Sequence, residues 1–290
     1  MSENYCGNEP KQISILLITD SRGRGLQEFL QSQRADLCIS EHVKRGAGFE
    51  LLARTCQREQ ARNDYDICLL IGGICSFTKK ETYTTQSGRK IGIISYEDRA
   101  NIEDLKQILE SLRENLGRKL SIATVPPASL EKYLDYSERI TSKLDKEEKK
   151  LLCNKLSSEQ KHLLNDIYEL NNWIVEENRR QGLPSLDWHS QVFANSIKKQ
   201  RAKKRRVSKF IDRNLNDGVH ANEYLQQKFF TRTLNTINQI ISNLGSDITS
   251  SQDSDWEEVK PDSDTETDQF SQDSQSEEAG CSWDFKRKRK

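Results

Sequence analysis

Three short apolar runs, each ending in a turn, leave few folds open to this chain: "ISILLITDSRGRG" from Ile13, "YDICLLIGG" from Tyr65 and "KLSIATVPPAS" from Lys119. Short runs that are apolar almost throughout read as buried strands, and the glycines or prolines that follow turn the chain. Amphipathic segments lie between them. "LQEFLQSQRA", "FELLARTCQRE" and "ANIEDLKQILESLRENLG" carry helical spacing, the last with a glycine stop. With the shorter strand candidate "LCISEHV", strands and helices alternate along the chain. That order predicts an α/β fold, a parallel sheet with helices on both faces. "ETYTTQSGRKIGIISYED" alternates around Ser-Gly and reads as a hairpin inserted into the series.

The second half is less regular. Residues 131–165 are rich in Lys, Glu, Leu and Ser and read as an exposed helical insertion. "NDIYELNNWIVEENRRQG" is an amphipathic helix with a glycine cap, "LPSLDWHSQVF" a short strand and loop, and "EYLQQKFFTRTLNTINQIISNLG" the last helix. The domain so defined spans residues 12–245, after a flexible N-terminus of residues 1–11. Residues 246–290 form an acidic tail closed by "KRKRK". Their Ser, Asp, Glu, Thr and Gln content can bury little apolar surface, so disorder is expected.

With 34% hydrophobic and 31% charged residues over 290 positions, the composition suits one globular domain plus disordered segments. The first apolar run is too short for a signal peptide and no window approaches a membrane span. An intracellular protein, nuclear and/or cytoplasmic, with no membrane partner is expected. The seven cysteines include no CxxC, so no metal site is expected, and several sit in apolar runs as reduced core residues. No cofactor is expected.

In open parallel sheets, functional groups gather beyond the carboxyl ends of the strands. The loops "TDSRGRG", "RGAGFE" and "GGICSFT" occupy that position, and "NDGVHANE" precedes the final helix. Ser21 follows the first strand near the start of a helix, where backbone N–H groups and the helix dipole can hold an oxyanion. A serine needs a base to become a nucleophile. Of the four histidines, His42, His162, His189 and His220, only His220 has a carboxylate, Asp217, placed to orient it within a glycine-containing loop. Asp217 can accept the imidazole N–H and fix the tautomer.

Together these four loops resemble the SGNH/GDSL hydrolase family over roughly residues 12–243. The resemblance implies a three-layer α/β/α sandwich of flavodoxin-like character and serine esterase chemistry on a small ester, without a cofactor. "TDS" resembles the first block and makes Ser21 the nucleophile. "RGAGFE" supplies the second-block glycine, Gly48 or else Gly46. "GICS", from Gly73, resembles the third block GxND, and "DGVH" matches the DxxH block that supplies Asp217 and His220. The implied oxyanion hole comprises Ser21, Gly48 and Cys75. The first and third blocks, "DSRGRGL" and "GGIC-x-x-T", most resemble a divergent metazoan group linked to retrotransposon-derived reading frames.

The chain departs from the family at four positions. Thr19 stands for the first glycine, Arg22 for the usual leucine, and Cys75 for the oxyanion-hole asparagine, with Ser76 at the following aspartate. A thiol is a weak donor, and losing one oxyanion donor costs about 10²–10³ in rate. Two functions therefore stay open: an active ester hydrolase, or a catalytically impaired scaffold of the same fold that binds nucleic acid or protein. Plainer roles also stay open. Ser21 and Asp217 can be helix or turn caps, Gly48 and Gly73 can be turn glycines, and Cys75 can be inert packing.

"KKQRAKKRR" holds seven basic residues: Lys198, Lys199, Arg201, Lys203, Lys204, Arg205 and Arg206. It is expected within a basic loop, residues 198–213, on the active-site side. Contact with nucleic-acid phosphates, an import-receptor signal and a solvated insertion are the three readings. No aromatic residue interleaves with the run, so base stacking is not supported. The tail repeats acidic residues after Ser and Thr, the pattern favoured by acid-directed kinases. It could also pair with the basic loop.

Overall fold

The computed structural model describes residues 12–97, 101–141, 143–200 and 203–250, of which 194–200, 203–209 and 245–250 are described in backbone only. In chain order the elements are β1 (Ile13–Thr19), α1 (Leu26–Gln33), β2 (Leu37–Val43), α2 (Phe49–Gln60), β3 (Ile67–Ile71), β4 (Thr78–Thr84) and β5 (Lys90–Tyr96). There follow α3 (Ile102–Leu116), β6 (Leu120–Ile122), α4 (Leu130–Ile140), α5 (Lys146–Arg180), β7 (Phe193–Gln200), β8 (Lys203–Phe210) and α6 (Glu223–Ser250).

Four strands form a parallel sheet in the order β2-β1-β3-β6. The apolar runs are continuous because both faces of this sheet are covered. Leu16, Ile18 and Leu70 face one layer with Leu52 of α2, Leu109 of α3, Leu134 of α4 and Ile167 of α5. Ile15, Leu17 and Leu69 face the other with Leu26 and Leu30 of α1 and Leu225 and Phe229 of α6. The fold is thus the α/β/α sandwich expected. Trp188 stacks on Phe229 at 4.4 Å, and its indole N–H donates to Thr233 Oγ1 at 3.0 Å, which seats α6 against the sheet. β4 and β5 form the expected antiparallel hairpin.

β6 is only three residues long, and two buried asparagines of α5 extend its bonding. Asn171 accepts from Val125 N at 2.7 Å and donates to Val125 O at 2.9 Å. Asn178 donates to Ile122 O at 2.9 Å. A single parallel bridge, Ala123 to Leu186, adds a further backbone beyond β6.

Four expectations change. Residues 131–165 are not an exposed insertion: they form α4 and the first half of α5, and Leu134, Leu152, Leu156 and Leu163 are buried. Their leucines recur at helical spacing among charges, a pattern that suits a half-buried helix. "LPSLDWHSQVF" contributes only the bridge at Leu186 and a turn of 3-10 helix, Ser190–Val192, before β7. The basic segment is not a loop. Most of it is paired, as β7 and β8, in an antiparallel ribbon. The last helix runs past Gly245 to Ser250, while the N-terminus and the tail from residue 251 lie outside the described residues. Among the described residues no helix is long and apolar enough to cross a membrane.

Candidate active site

β1 ends at Thr19, and Asp20 donates its backbone N–H to Ile71 O of β3 at 3.1 Å, which holds the loop over the sheet end. Asp20 then caps a turn of 3-10 helix, Ser21–Gly23, by accepting from Arg22 N. The sequence suggested a helix start here, but the turn is three residues long and α1 begins only at Leu26. The oxyanion stabilisation expected at Ser21 would therefore have to come from individual N–H groups, because the dipole of so short a turn is small. Arg22 is buried. Its guanidinium pairs with Asp20 at 3.0 Å and donates to Pro126 O at 2.7 Å. This residue, which departs from the leucine of the resembling family, pins the Ser21 loop to the loop after β6. Gly23 packs on Thr19, where an added Cβ would collide with the threonine side chain.

On the other side of the site, Leu215 and Ala221 form an antiparallel bridge that closes the loop before α6. Within it, Asp217 Oδ1 accepts from Val219 N at 2.9 Å and His220 N at 2.7 Å. Its other oxygen lies 2.7 Å from His220 Nδ1, and His220 Nε2 lies 2.9 Å from Ser21 Oγ. Ser21 and His220 are 199 residues apart in sequence. Burial pushes the Asp217 carboxyl up, but the His220 ring and the two amides outweigh it and hold the carboxyl down at about 2. Asp217 is thus a carboxylate at neutral pH. In the tautomer whose Nδ1–H donates to it, Nε2 is left to accept a hydrogen bond from the Ser21 hydroxyl. Gly218 makes the loop possible: its φ is +86°, and its carbonyl accepts from Ser129 N at 2.7 Å. A Cβ there would run into Ser129 O and the backbone of Tyr133.

The remaining predicted residues lie on the second and third loops. Gly48 caps α2 and has no room for a side chain, since a Cβ would come 2.7 Å from Ser76 Oγ. Ser76 Oγ accepts from Phe49 N at 2.8 Å, which ties the start of α2 to the turn after β3. Gly73 enters that turn at φ +96° against the Phe49 ring. Gly46 has a positive φ but open space around it, so the close approach belongs to Gly48. Cys75 is half-buried in the turn. Burial pushes its thiol up, with Arg22 pulling the other way, so the group remains an S–H donor at neutral pH.

Gly48, Cys75 and Ser76 border a cavity of about 500 Å³. Leu51, Leu105 and Ile108 give it apolar lining, and Glu50, Glu97, Asp104 and Arg54 add charge. Ser21 and His220 lie outside its lining, so the cavity adjoins Gly48 and Cys75 rather than the Ser21–His220 contact. The other histidines are elsewhere. His42 lies 3.7 Å from Glu59, His162 stacks near Tyr96, and His189 is packed on Phe193 with burial pushing its imidazole down. Among the described residues no cluster of three His, Cys, Asp or Glu could hold a metal ion.

The sequence matches no protein-family model and no curated protein. Solved structures are similar in fold. A lipase/acylhydrolase from Enterococcus faecalis is 14% identical with a TM-score of 0.45, covering 78% of this chain and 95% of its own. A GDSL-like lipase from Bacteroides thetaiotaomicron is 11% identical with a TM-score of 0.46, covering 81% and 89%. An acetyl xylan esterase is 14% identical with a TM-score of 0.47, covering 76% and 98%. At such identities and TM-scores the likeness carries no chemical argument, which rests on the side chains.

Proposed function

We propose that the protein is a serine ester hydrolase acting on a short acyl or acetyl ester. The observation that carries this reading is the continuous relay from Ser21 Oγ through His220 to Asp217, at 2.9 and 2.7 Å. Both contacts fall within the reach of general-base catalysis. Ser21 Oγ attacks the ester carbonyl carbon as His220 Nε2 takes its proton. The oxyanion is held by the amides of Ser21 and Gly48, with the Cys75 thiol in the third position. His220 then gives the proton to the departing alcohol. In the second half, water attacks the acyl-serine, His220 accepts its proton, and the carboxylic acid leaves as Ser21 regains its hydrogen. Asp217 keeps the imidazole oriented and stabilises the imidazolium formed in each half. The adjoining cavity, lined in part by Leu51, Leu105 and Ile108, would receive the acyl group.

Turnover of p-nitrophenyl acetate, lost on Ser21→Ala, is the expected result. No Ser21-dependent turnover across a range of acyl esters would favour the non-catalytic scaffold, the reading that Cys75 in place of an asparagine supports.

A further inference from the structure

The β7–β8 ribbon carries seven basic residues in its two strands and no acidic one. Its register sets Lys198 opposite Arg205 and Lys199 opposite Lys204. Like charges directly opposite weaken a strand pair, so this pairing opposes its own electrostatics. At its base the ribbon is secured: Ile211 N donates to Val192 O at 2.9 Å, and the rings of Phe193 and Phe210 meet at 5.8 Å against the α6 side of the core. Alternation along each strand puts basic residues on both faces. Lys199, Lys204 and Arg206 share one face, and Lys198, Lys203, Arg205 and Lys209 share the other.

Charge on both faces of a narrow ribbon suits a site with an anionic wall on either side. The major groove of B-form DNA is such a site: it admits a two-stranded ribbon and is bounded by two phosphate backbones. Apart from the two phenylalanines at its base the ribbon has no aromatic residue, so stacking on single-stranded bases has no platform. Its dense charge suits phosphate contacts, which dominate affinity and carry no sequence information. We propose that the β7–β8 ribbon docks in the major groove of duplex DNA and binds its phosphates without regard to sequence. Neutralising the facing charges relieves the repulsion built into the strand pairing, so binding and ribbon stability are coupled.

The test is fluorescence anisotropy of the full chain with a labelled DNA duplex between 50 and 200 mM NaCl. If about six phosphates are neutralised, log affinity falls with log salt at a slope of about −5, which is a loss of about 10³ over that range. Replacing Lys198, Lys199, Lys204 and Arg205 together with Gln should flatten the slope to about −2 and reduce the loss to about tenfold. The charge-conserving variant, with Lys and Arg exchanged at the same four positions, should keep the wild-type slope, which separates charge from folding. The proposal is overturned by absence of duplex binding at 50 mM salt, by a Gln variant that binds as the wild type does, or by loss of binding in the charge-conserving variant. Equal affinity for duplex RNA, whose major groove is deep and narrow, would overturn the groove placement. So would binding that follows deletion of the C-terminal "KRKRK" instead. If the wild type binds no DNA while the Gln variant loses an import receptor, the ribbon is a targeting signal and the proposal fails.

Discussion

On the proposed mechanism, replacing Cys75 with Asn should raise the rate of ester hydrolysis. Cys75 borders the cavity beside Gly48, so a longer side chain has room. Burial keeps its thiol protonated, and a thiol donates only a weak hydrogen bond. An amide N–H at that position would supply a stronger donor to the oxyanion. One full oxyanion donor is worth about 10²–10³ in kcat, or roughly 2.7–4 kcal/mol. The thiol already supplies part of that, so a rise of about 10- to 100-fold in kcat is expected. KM should change little, because the new bond forms only as negative charge develops. The assay is steady-state hydrolysis of p-nitrophenyl acetate by wild type, Cys75→Asn and Cys75→Ala, each with and without Ser21→Ala. Above the ordinary thiol range the wild-type rate should fall as Cys75 ionises beside the oxyanion, and the Asn variant should lack that limb. Equal rates for the Asn and Ala variants would refute the oxyanion role, and so would a gain that persists in the Ser21→Ala background.

Two further outcomes probe the base loop. Gly218→Ala should lower kcat by about tenfold or more, since a Cβ at φ +86° strikes Ser129 O and shifts His220; unchanged kinetics in a folded variant would show that the loop tolerates the strain. Asp217→Asn should cut kcat by up to about 10⁴ through the wrong histidine tautomer. Its stability deficit also has a sign. The Asp217 carboxyl is depressed from 3.8 to about 2, so its contribution of about 2 kcal/mol is present above pH ~4 and lost as pH falls through about 2. Denaturant unfolding of the two proteins from pH 7 downward should show the gap closing with acid, and a constant gap would refute the assignment.

Much of this architecture was legible because burial on two faces demands a particular composition. A run such as Ile15–Ile18 can be apolar at every position only if layers cover both sides, so β1 and β3 declared a parallel sheet. The candidate site was legible for a different reason. Ser21, Gly48, Gly73, Asp217 and His220 stand in turns, where glycine and small polar residues mark unusual backbone. Arg22 could not be read this way. Its burial depends on Asp20 and on Pro126 O, and the latter lies 104 residues away. Residues 131–165 read as exposed because charge dominates them, although their leucines meet a sheet supplied by distant segments. The basic segment read as a loop because its composition is polar, and strand pairing is a non-local event that composition does not encode.

By itself the sequence determined the order of strands and turns and the chemical type of each loop, since burial and turn geometry constrain residues locally. Only the tertiary structure decided that Ser21 and His220 stand 2.9 Å apart across 199 residues. The register of the parallel sheet and the seating of α6 by Trp188 and Phe229 bring their loops to one edge, and no local rule contains that distance.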